Sequence, residues 1–342
     1  MSSLPDHIGL DFGNHSVKGV QLRNPDKSPS LVAFGSQPTP TGVINSEDES
    51  HQRQLADALK SLVAEGKFRT KNVVAALPEY SIFTRFLEFP GVKDNELEEA
   101  IHWQAKQVVP IPISEVQMSW IVLGEDKNRN AIHVLLVAAP KKLVDLYVKI
   151  LEMAKLVPVG LETEAIATGR ALYKSEQLRD AVILDFGSQS TDMGIMTDGK
   201  LIFSQSISVG SDALTRAIVS DFSLEYAQAE EYKRNYGLDE TQLEGKIHQS
   251  LKPIMDTMVS EVRRGVEFYK TKTLKSAPTE FRLVGDGALL PGIEGYLTGE
   301  FGVQVKLADP WANISMNSAQ EAAIAKGKPA YAVAVGLALK TS

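Results

Sequence analysis

Two short acidic turns carry the clearest chemical signal in this sequence. In one of them, Asp185 and Gly187 follow the apolar run 181–184, which predicts a buried strand that ends at the acidic residue. A second short strand begins at the end of a polar turn that consists of Ser188, Gln189, Ser190 and Thr191. The hydroxyl and N–H groups of such a turn can form a concave site for an anion. Gly187 leaves room for a ligand to approach the backbone.

The same plan occurs near the N-terminus. A strand that begins at Ile8 leads to Asp11, and a returning strand carries Lys18. The turn between these strands consists of Gly13, Asn14, His15 and Ser16. One such hairpin is more often an ordinary turn than a site, but two of them imply pseudo-equivalent lobes that face each other. The two turns would then hold one polyphosphate between them.

Two basic residues of the first hairpin have competing interpretations. Lys18 lies seven residues after Asp11 and could reach a phosphate, or it could be an ordinary exposed strand lysine. His15 lies in the turn itself, where we expect a solvated side chain rather than a catalytic one.

The composition is typical of a globular protein with more than one lobe. The chain has 342 residues, of which 43% are hydrophobic and 23% charged, and this length exceeds one ordinary core. It has no cysteine, which excludes disulfides and thiolate metal sites. No apolar run approaches the ~20 residues of a membrane span, and the first residues lack the pattern of a signal peptide, so we expect a cytoplasmic protein. The net charge of −7 argues against broad nucleic-acid binding.

The order of predicted elements divides the chain into four parts. They are a lobe-one core (1–81 and 155–180), an insert (82–154), a lobe-two core (181–210 and 280–342) and a helical subdomain (211–279). The insert is predicted to fold as β-α-β-β-α, with a charged turn at 125–130 between its central strands. The stretch from Trp103 to Ile113 contains apolar residues, which are either ordinary core and turn or one wall of a groove for a partner peptide.

Two acidic residues begin the helix that returns the chain to lobe one. Glu162 and Glu164 could simply stabilise the helix N-terminus. If that end faces the cleft, one of them could instead orient water or a hydrated Mg²⁺. In the helical subdomain, Glu230 and Lys233 are one helical turn apart, a spacing that a surface ion pair would also explain.

A glycine turn occurs late in lobe two. Gly285, Asp286 and Gly287 lie between a predicted strand and a helix that starts near Ile293. A flat ring or a ribose could lie against the backbone of such a turn. Gly210 ends the strand that follows the second hairpin.

The order of hairpin, insert, connecting helix, second hairpin, helical subdomain and glycine turn resembles the actin/Hsp70/sugar-kinase ATPase superfamily. This resemblance implies an α/β chain with the two-lobed actin-like (ribonuclease H-like) ATPase fold and an FtsA-type insert in lobe one. Several segments are similar to the PilM family of type IV pilus assembly proteins, which are FtsA-like. They are residues 9–13, 16–18, 102–105, 109–112, 136–140, 229–233, 309–311 and 332–339.

The resemblance implies ATP with Mg²⁺ between the lobes. It makes Asp11 and Asp185 the residues that hold Mg²⁺ through water. Glu164 matches the position where relatives that hydrolyse ATP orient the attacking water. The residues implied around the nucleotide are Gly13, Asn14, His15, Ser16, Lys18, Gly187, Ser188, Gln189, Ser190, Thr191, Gly210, Glu230, Lys233, Gly285, Asp286, Gly287 and Ile293.

The resemblance also implies a partner and a location. PilM-family proteins bind the N-terminal cytoplasmic tail of the membrane protein PilN between the lobe-one core and the insert. We therefore expect a cytoplasmic, ATP-binding scaffold of the type IV pilus inner-membrane complex, peripheral to the membrane through partner proteins. Other inner-membrane and motor components, and self-association, are further expected contacts. Turnover of ATP should be slow or absent, because no residue resembles a supplied arginine finger.

Two other functions fit parts of the sequence. A filament-forming, FtsA-like cell-division protein would share the fold but would add an amphipathic membrane helix after the core-like helix at 331–339. A small-molecule kinase would need a base for its substrate, and no residue stands out for that task.

Overall fold

A computed structural model describes residues 4–126, 129–273 and 275–341 of the chain. Lys127 and Asn128, in the turn predicted at 125–130, lie outside the described residues. The strands are β1 (Ile8–Phe12), β2 (Ser16–Arg23), β3 (Ser30–Pro38), β4 (Asn72–Leu77), β5 (Phe83–Pro90), β6 (Val116–Asp126), β7 (Ala131–Pro140), β8 (Val157–Thr163), β9 (Ala181–Phe186), β10 (Thr191–Thr197), β11 (Lys200–Ile207), β12 (Phe281–Val284) and β13 (Val305–Leu307). The α-helices are α1 (Glu49–Glu65), α2 (Asp94–Val108), α3 (Lys141–Met153), α4 (Glu164–Glu176), α5 (Ser211–Phe222), α6 (Tyr226–Tyr236), α7 (Lys246–Thr273), α8 (Ile293–Phe301), α9 (Ser318–Ile324) and α10 (Ala332–Ala338).

Two five-stranded sheets have the same topology. The first has the strand order β3-β2-β1-β4-β8, and the second has the order β11-β10-β9-β12-β13. In each sheet three antiparallel strands are followed along the chain by two strands that pair in parallel. This repetition confirms the predicted two-lobed, actin-like α/β fold, in which the hairpins occupy equivalent places.

The central strands are buried on both faces, which explains their continuous apolar runs. In β9, Val182 and Leu184 pack into one hydrophobic cluster with Met193 of β10. Ile183, between them, packs into another cluster with Leu172 of α4. Because successive strand residues point to opposite faces, such a strand needs helices on both sides of the sheet.

Helices α4 and α10 cross closely between the two sheets. A Cβ atom on Gly336 of α10 would stand only 1.8 Å from the carbonyl oxygen of Ala167 in α4, so a larger residue would separate the helices. This packing directs the first residues of both helices, Glu164 and Ala332, to the gap between the lobes.

The insert contributes a third sheet with the order β5-β7-β6. Ile101 of α2 packs on Val134 of β7 in a cluster that belongs to the insert alone. Tyr147 of α3 lies instead in the lobe-one cluster, with Leu55 of α1. The predicted bounds of the insert, 82–154, stay a prediction. The packing of Tyr147 favours assigning α3 to lobe one rather than to the insert.

Helices α5, α6 and α7 cover one face of the second sheet. Leu214, Ala229 and Val262, one from each helix, share a hydrophobic cluster with β9. The longest of the three, α7, has 28 residues and buries only one side. Within the described ranges, no helix is both long and apolar enough to cross a membrane.

Candidate functional site

The two hairpins meet at a narrow cleft between the lobes. From the predicted set, the residues that line this cleft are Asp11, Gly13, Asn14, His15, Lys18, Glu164, Asp185, Gly187, Ser188, Gln189, Ser190, Gly285 and Asp286. The cavity measures about 70 Å³, well below the roughly 300 Å³ at which ligand pockets begin. A ligand of nucleotide size would therefore enter only if the lobes separate.

Each hairpin places a charged residue opposite its aspartate. Asp11 of β1 pairs in register with Lys18 of β2, and Asp185 of β9 pairs with Asp192 of β10. Asp192 also lines the cleft, and its Oδ1 atom has no hydrogen-bond partner among the described residues. The second hairpin thus presents two carboxylates and no cation of its own.

Burial and mutual repulsion raise the pKa values of the cleft carboxylates. Burial raises the pKa of Asp11 to about 6, although Lys18 opposes this rise. Burial raises the pKa of Asp192 to about 7. The pKa of Asp185 lies well above its usual range because of burial and of the neighbouring Asp192 and Asp11. These groups are costly to ionise together, so a cation near them would be stabilised.

Lys18 and His15 both connect the first lobe to the second. The Lys18 Nζ atom donates to Asp286 Oδ2 at 2.8 Å, and Lys18 is buried, which excludes the exposed strand lysine. Burial would lower the pKa of Lys18, but Asp286 and Asp11 outweigh it and raise that pKa. His15 Nε2 lies 2.9 Å from Asp212 Oδ1, and this hydrogen bond raises the pKa of the imidazole. The His15 side chain is 40% exposed, so it is solvated as expected, and it also bridges the lobes through Asp212.

The start of α4 separates the two candidate glutamates. Glu164 faces the cleft and accepts a hydrogen bond from the backbone N–H of Glu79 at 3.0 Å. Burial, Asp192 and Asp11 hold the pKa of Glu164 well above its usual range. Glu162 lies elsewhere, where it pairs with Arg170 and Lys340. Of the two, only Glu164 lines the cleft.

Glu230 and Lys233 form an ion pair in which Lys233 is buried and Glu230 is partly buried, rather than a surface pair. Lys233 is 5% exposed, and its Nζ atom lies 2.7 Å from Glu230 Oε2. The same ammonium group donates to Thr215 Oγ1 and to the carbonyl oxygen of Ser211, at the start of α5. Burial opposes ionisation of Glu230, but Lys233 and Thr215 lower its pKa. This arrangement holds the start of α5 beside His15, at the edge of the cleft.

The remaining predicted residues do not line the cleft, and most of them support the turns. Thr191 is fully buried, and its hydroxyl group donates to the carbonyl of Val209. Gly210 packs against the second turn, where an added Cβ would stand 2.3 Å from the carbonyl oxygen of Ser188. The others are Ser16 at the start of β2, Gly287 against the backbone of Phe186, and Ile293 in the lobe-two core.

Three features of the cleft were missed by the sequence reasoning. Asp192 follows Asp185 by the same seven positions that separate Lys18 from Asp11, and this spacing was the available signal. Tyr80 and the segment 329–333 also line the cleft, but nothing in their local sequence marks them.

The carboxylates of the cleft fit a cation that keeps its bound waters better than a cation that they ligate directly. Among the described residues, no group of three or more histidine and acidic side chains is arranged to hold a metal ion. Asp11, Asp185 and Asp192 nevertheless surround one small cavity, and one of their oxygens is unpaired. Mg²⁺ usually keeps several waters and binds through one or two carboxylates, which matches this geometry.

A second groove lies where the insert, α4 of the first lobe and the β10–β11 turn of the second lobe meet. It measures about 200 Å³ and is bordered by Ile121 and Leu123 of β6, and by Ile166 and Tyr173 of α4. β6 is an edge strand, and Ile121 is 41% exposed. An edge strand beside apolar side chains can receive an extended peptide.

The apolar stretch predicted at 103–113 divides between surface and core. Trp103 is 65% exposed on α2, and Ile111 is also exposed, whereas Val109 is buried in the insert.

Comparisons with known proteins agree on one family. A family model described as "Type IV pilus assembly protein PilM" matches residues 9–342. A solved "PilM-PilN type IV pilus biogenesis complex" superposes with a TM-score of 0.83 at 30% identity, over 98% of this chain and 98% of that one.

More distant relatives share the fold alone. Ethanolamine utilization protein EutJ from Carboxydothermus hydrogenoformans has a TM-score of 0.60 at 15% identity, over 98% of this chain and 90% of its own. MreB5 of Spiroplasma citri bound to ADP has a TM-score of 0.53 at 16% identity, over 96% of this chain and 94% of its own. Cell division protein FtsA of Bacillus subtilis (strain 168) is 20% identical over 89% of this chain and 78% of that protein. With a family match over nearly its whole length and a PilM structure at 30% identity, the chain belongs to the PilM family of type IV pilus assembly proteins.

Proposed function

We propose that the chain is an ATP-binding, actin-like scaffold of the type IV pilus inner-membrane complex, and that it binds the N-terminal cytoplasmic tail of PilN. The superposition on a PilM-PilN complex over 98% of both chains carries this proposal. The charged cleft and the groove beside the insert support its two parts, nucleotide binding and peptide binding.

Nucleotide binding is supported by the charges of the cleft. Asp11 and Asp185 would hold Mg²⁺ through water, and the turns 13–16 and 187–191 would contact the phosphates through N–H and hydroxyl groups. Lys18 would reach a phosphate after its bond to Asp286 opens. When bound, Mg²⁺ neutralises phosphate charge, and here it would also relieve the repulsion among Asp11, Asp185 and Asp192.

Turnover should be slow. No arginine is among the residues that line the cleft in the described part of the chain. Glu164 is the candidate for orienting water, but burial and the neighbouring Asp192 raise its pKa well above the usual range, which disfavours the ionised form that would accept a proton from water. We expect phosphate release well below about 1 s⁻¹ from the purified protein, since an arginine finger contributes roughly 10³–10⁵ where it is used. A faster rate, or one stimulated by added sugars, would favour an enzyme instead.

The PilN tail is best accommodated between β6 and α4. The edge of β6 offers main-chain groups, while Ile121 and Tyr173 offer exposed apolar surface. An extended tail would add a strand to the insert sheet and place alternate side chains against α4.

Calorimetry with a synthetic PilN N-terminal peptide tests the proposal. Ile121→Asp should weaken binding at least tenfold, because it puts a charge into the apolar groove. Leu307→Asp is the matched control, since Leu307 is similarly exposed on an edge strand of the other lobe. Absence of binding to the unaltered chain would contradict the function, whereas equal binding by both variants would contradict only the groove.

Attachment to the inner membrane would then depend on PilN. The protein should not sediment with bare liposomes at physiological salt, but it should sediment with liposomes that display the PilN tail. Sedimentation without the tail would favour the FtsA-like alternative. Contacts with other inner-membrane and motor components, and self-association, also belong to this proposal and can be tested with the same liposomes.

A further inference from the structure

A larger cavity lies between the insert and the second lobe. It measures about 470 Å³, and its walls come from β5, β7 and α2 on one side and from β11 and α7 on the other. It shares no lining residue with the cleft or with the groove between β6 and α4. A ligand in this cavity would therefore touch neither the nucleotide site nor the site proposed for the PilN tail.

The floor of the cavity is apolar. Leu87, Leu135 and Ile202 are buried beneath it. The rings of Phe203 and Phe268 lie at its side, with centroids 5.7 Å apart, and Phe268 is 38% exposed. Two partly exposed aromatic rings beside buried aliphatic side chains can hold an aromatic or branched aliphatic side chain.

The mouth of the cavity is cationic. The guanidinium group of Arg85 and the ammonium group of Lys272 each lie 5.6 Å from the centroid of the Phe268 ring. No carboxylate is among the described residues that line the cavity, and neither cation has an ion-pair partner within that part of the chain. By contrast, Lys270, two residues earlier on α7, pairs with Glu267 at 2.7 Å. Two uncompensated cations are notable in a chain with a net charge of −7.

We propose that this cavity docks an acidic peptide segment of a partner protein, in which carboxylates flank an aromatic or branched apolar side chain. The apolar side chain would lie against Phe203 and Phe268, and the carboxylates would pair with Arg85 and Lys272. A nucleic acid would require a longer basic surface. An isolated inorganic anion would use the cations but leave the apolar floor exposed to water.

Fluorescence anisotropy on the full chain tests this proposal with fluorescein-labelled octapeptides in which Asp or Glu alternates with Phe or Leu. Matched octapeptides carry Asn or Gln at the acidic positions. The acidic peptides should bind at least tenfold more tightly than the neutral ones, and added salt should lower the affinity of the acidic peptides. The double variant Arg85→Gln with Lys272→Gln should bind them about tenfold more weakly, as expected for two partly exposed ion pairs.

A second double variant provides the control. Arg53→Gln with Lys270→Gln removes the same charge from exposed cations that already have partners, so affinity for the acidic peptides should not change. Phe268→Ala keeps both cations and should still weaken binding. Equal binding of acidic and neutral peptides, or equal losses in the two double variants, would overturn the proposal.

Competition separates this site from the proposed PilN groove. Excess PilN tail peptide should leave the acidic probe bound. Displacement of the probe would overturn the assignment of two separate sites. Failure of the PilN tail to bind at all would count against the proposed function and not against this cavity.

Discussion

The two hairpins of the cleft share a register and differ in one charge. Seven positions after each aspartate, and directly opposite it, the returning strand carries Lys18 in lobe one and Asp192 in lobe two. Burial raises the pKa of both Asp11 and Asp185, but Lys18 opposes the rise in the first hairpin, whereas Asp192 adds to it in the second.

This difference shows how one backbone motif can serve two tasks. The first hairpin carries its own counter-charge and, through the Lys18–Asp286 ion pair, connects the lobes. The second hairpin concentrates carboxylates without a cation of its own, so their charge is offset by bound protons or by an added cation. We therefore expect the first hairpin to act mainly on the phosphates and the second mainly on the metal.

The largest expected effect concerns the two aspartates and Mg·ATP. Asp185→Asn should lower affinity about a hundredfold and Asp11→Asn about tenfold, because the charge that holds the hydrated metal is lost while the shape is kept. Calorimetry with and without Mg²⁺ measures both affinities. Asp198→Asn is the control, because Asp198 lies in the exposed turn between β10 and β11 and does not line the cleft. Unchanged affinity in both variants would remove the metal assignment, and a larger loss at Asp11 would reverse the comparison.

The residues opposite the aspartates should have opposite effects on stability. Lys18→Met leaves Asp11 and Asp286 without their cation, and we expect the free energy of unfolding at pH 7.5 to fall by about 2 kcal/mol. Asp192→Asn removes a repulsive buried carboxylate, and we expect a rise of about 1 kcal/mol. Urea denaturation without ligand checks both signs, with Lys306→Met on β13 as a surface control. Changes of the same sign would mean that the hairpins are electrostatically equivalent.

The last prediction is the pH dependence of stability without ligand. Burial raises the pKa of Asp11 to about 6 and that of Asp192 to about 7, whereas unfolded aspartates lose their protons near pH 3.9. Between these values the folded state binds more protons, so the free energy of unfolding falls as pH rises from about 4 to 7. The slope should reach at most about 1.4 kcal/mol per pH unit for each group.

Denaturation at pH 5, 6, 7 and 8 checks this slope. Asp192→Asn should flatten it, and Mg·ATP should flatten it further. A free energy of unfolding that rises with pH over this range would show that burial does not raise the pKa values of the cleft carboxylates.

Local patterns in the sequence sufficed to find the hairpins but not to assign every side chain near them. Asp11 and Asp185 were found because an apolar run, an acidic residue and a glycine follow one another on the chain. Asp192 lies only a few residues further and was missed, because its relation to Asp185 depends on the register of the returning strand. The spacing of Glu230 and Lys233 predicted that they could pair. It could not predict that Lys233 is buried, because that burial depends on how α5 packs against α6.

The sequence by itself determined the two-lobed repeat, the insert and the acidic turns, because each depends on residues that are neighbours along the chain. Only the tertiary structure decided which charges meet. The partner of Lys18 lies 268 residues away on the other lobe, and that of His15 lies at the start of α5. Burial and pairing of this kind depend on how separate elements pack, and no local periodicity encodes such packing.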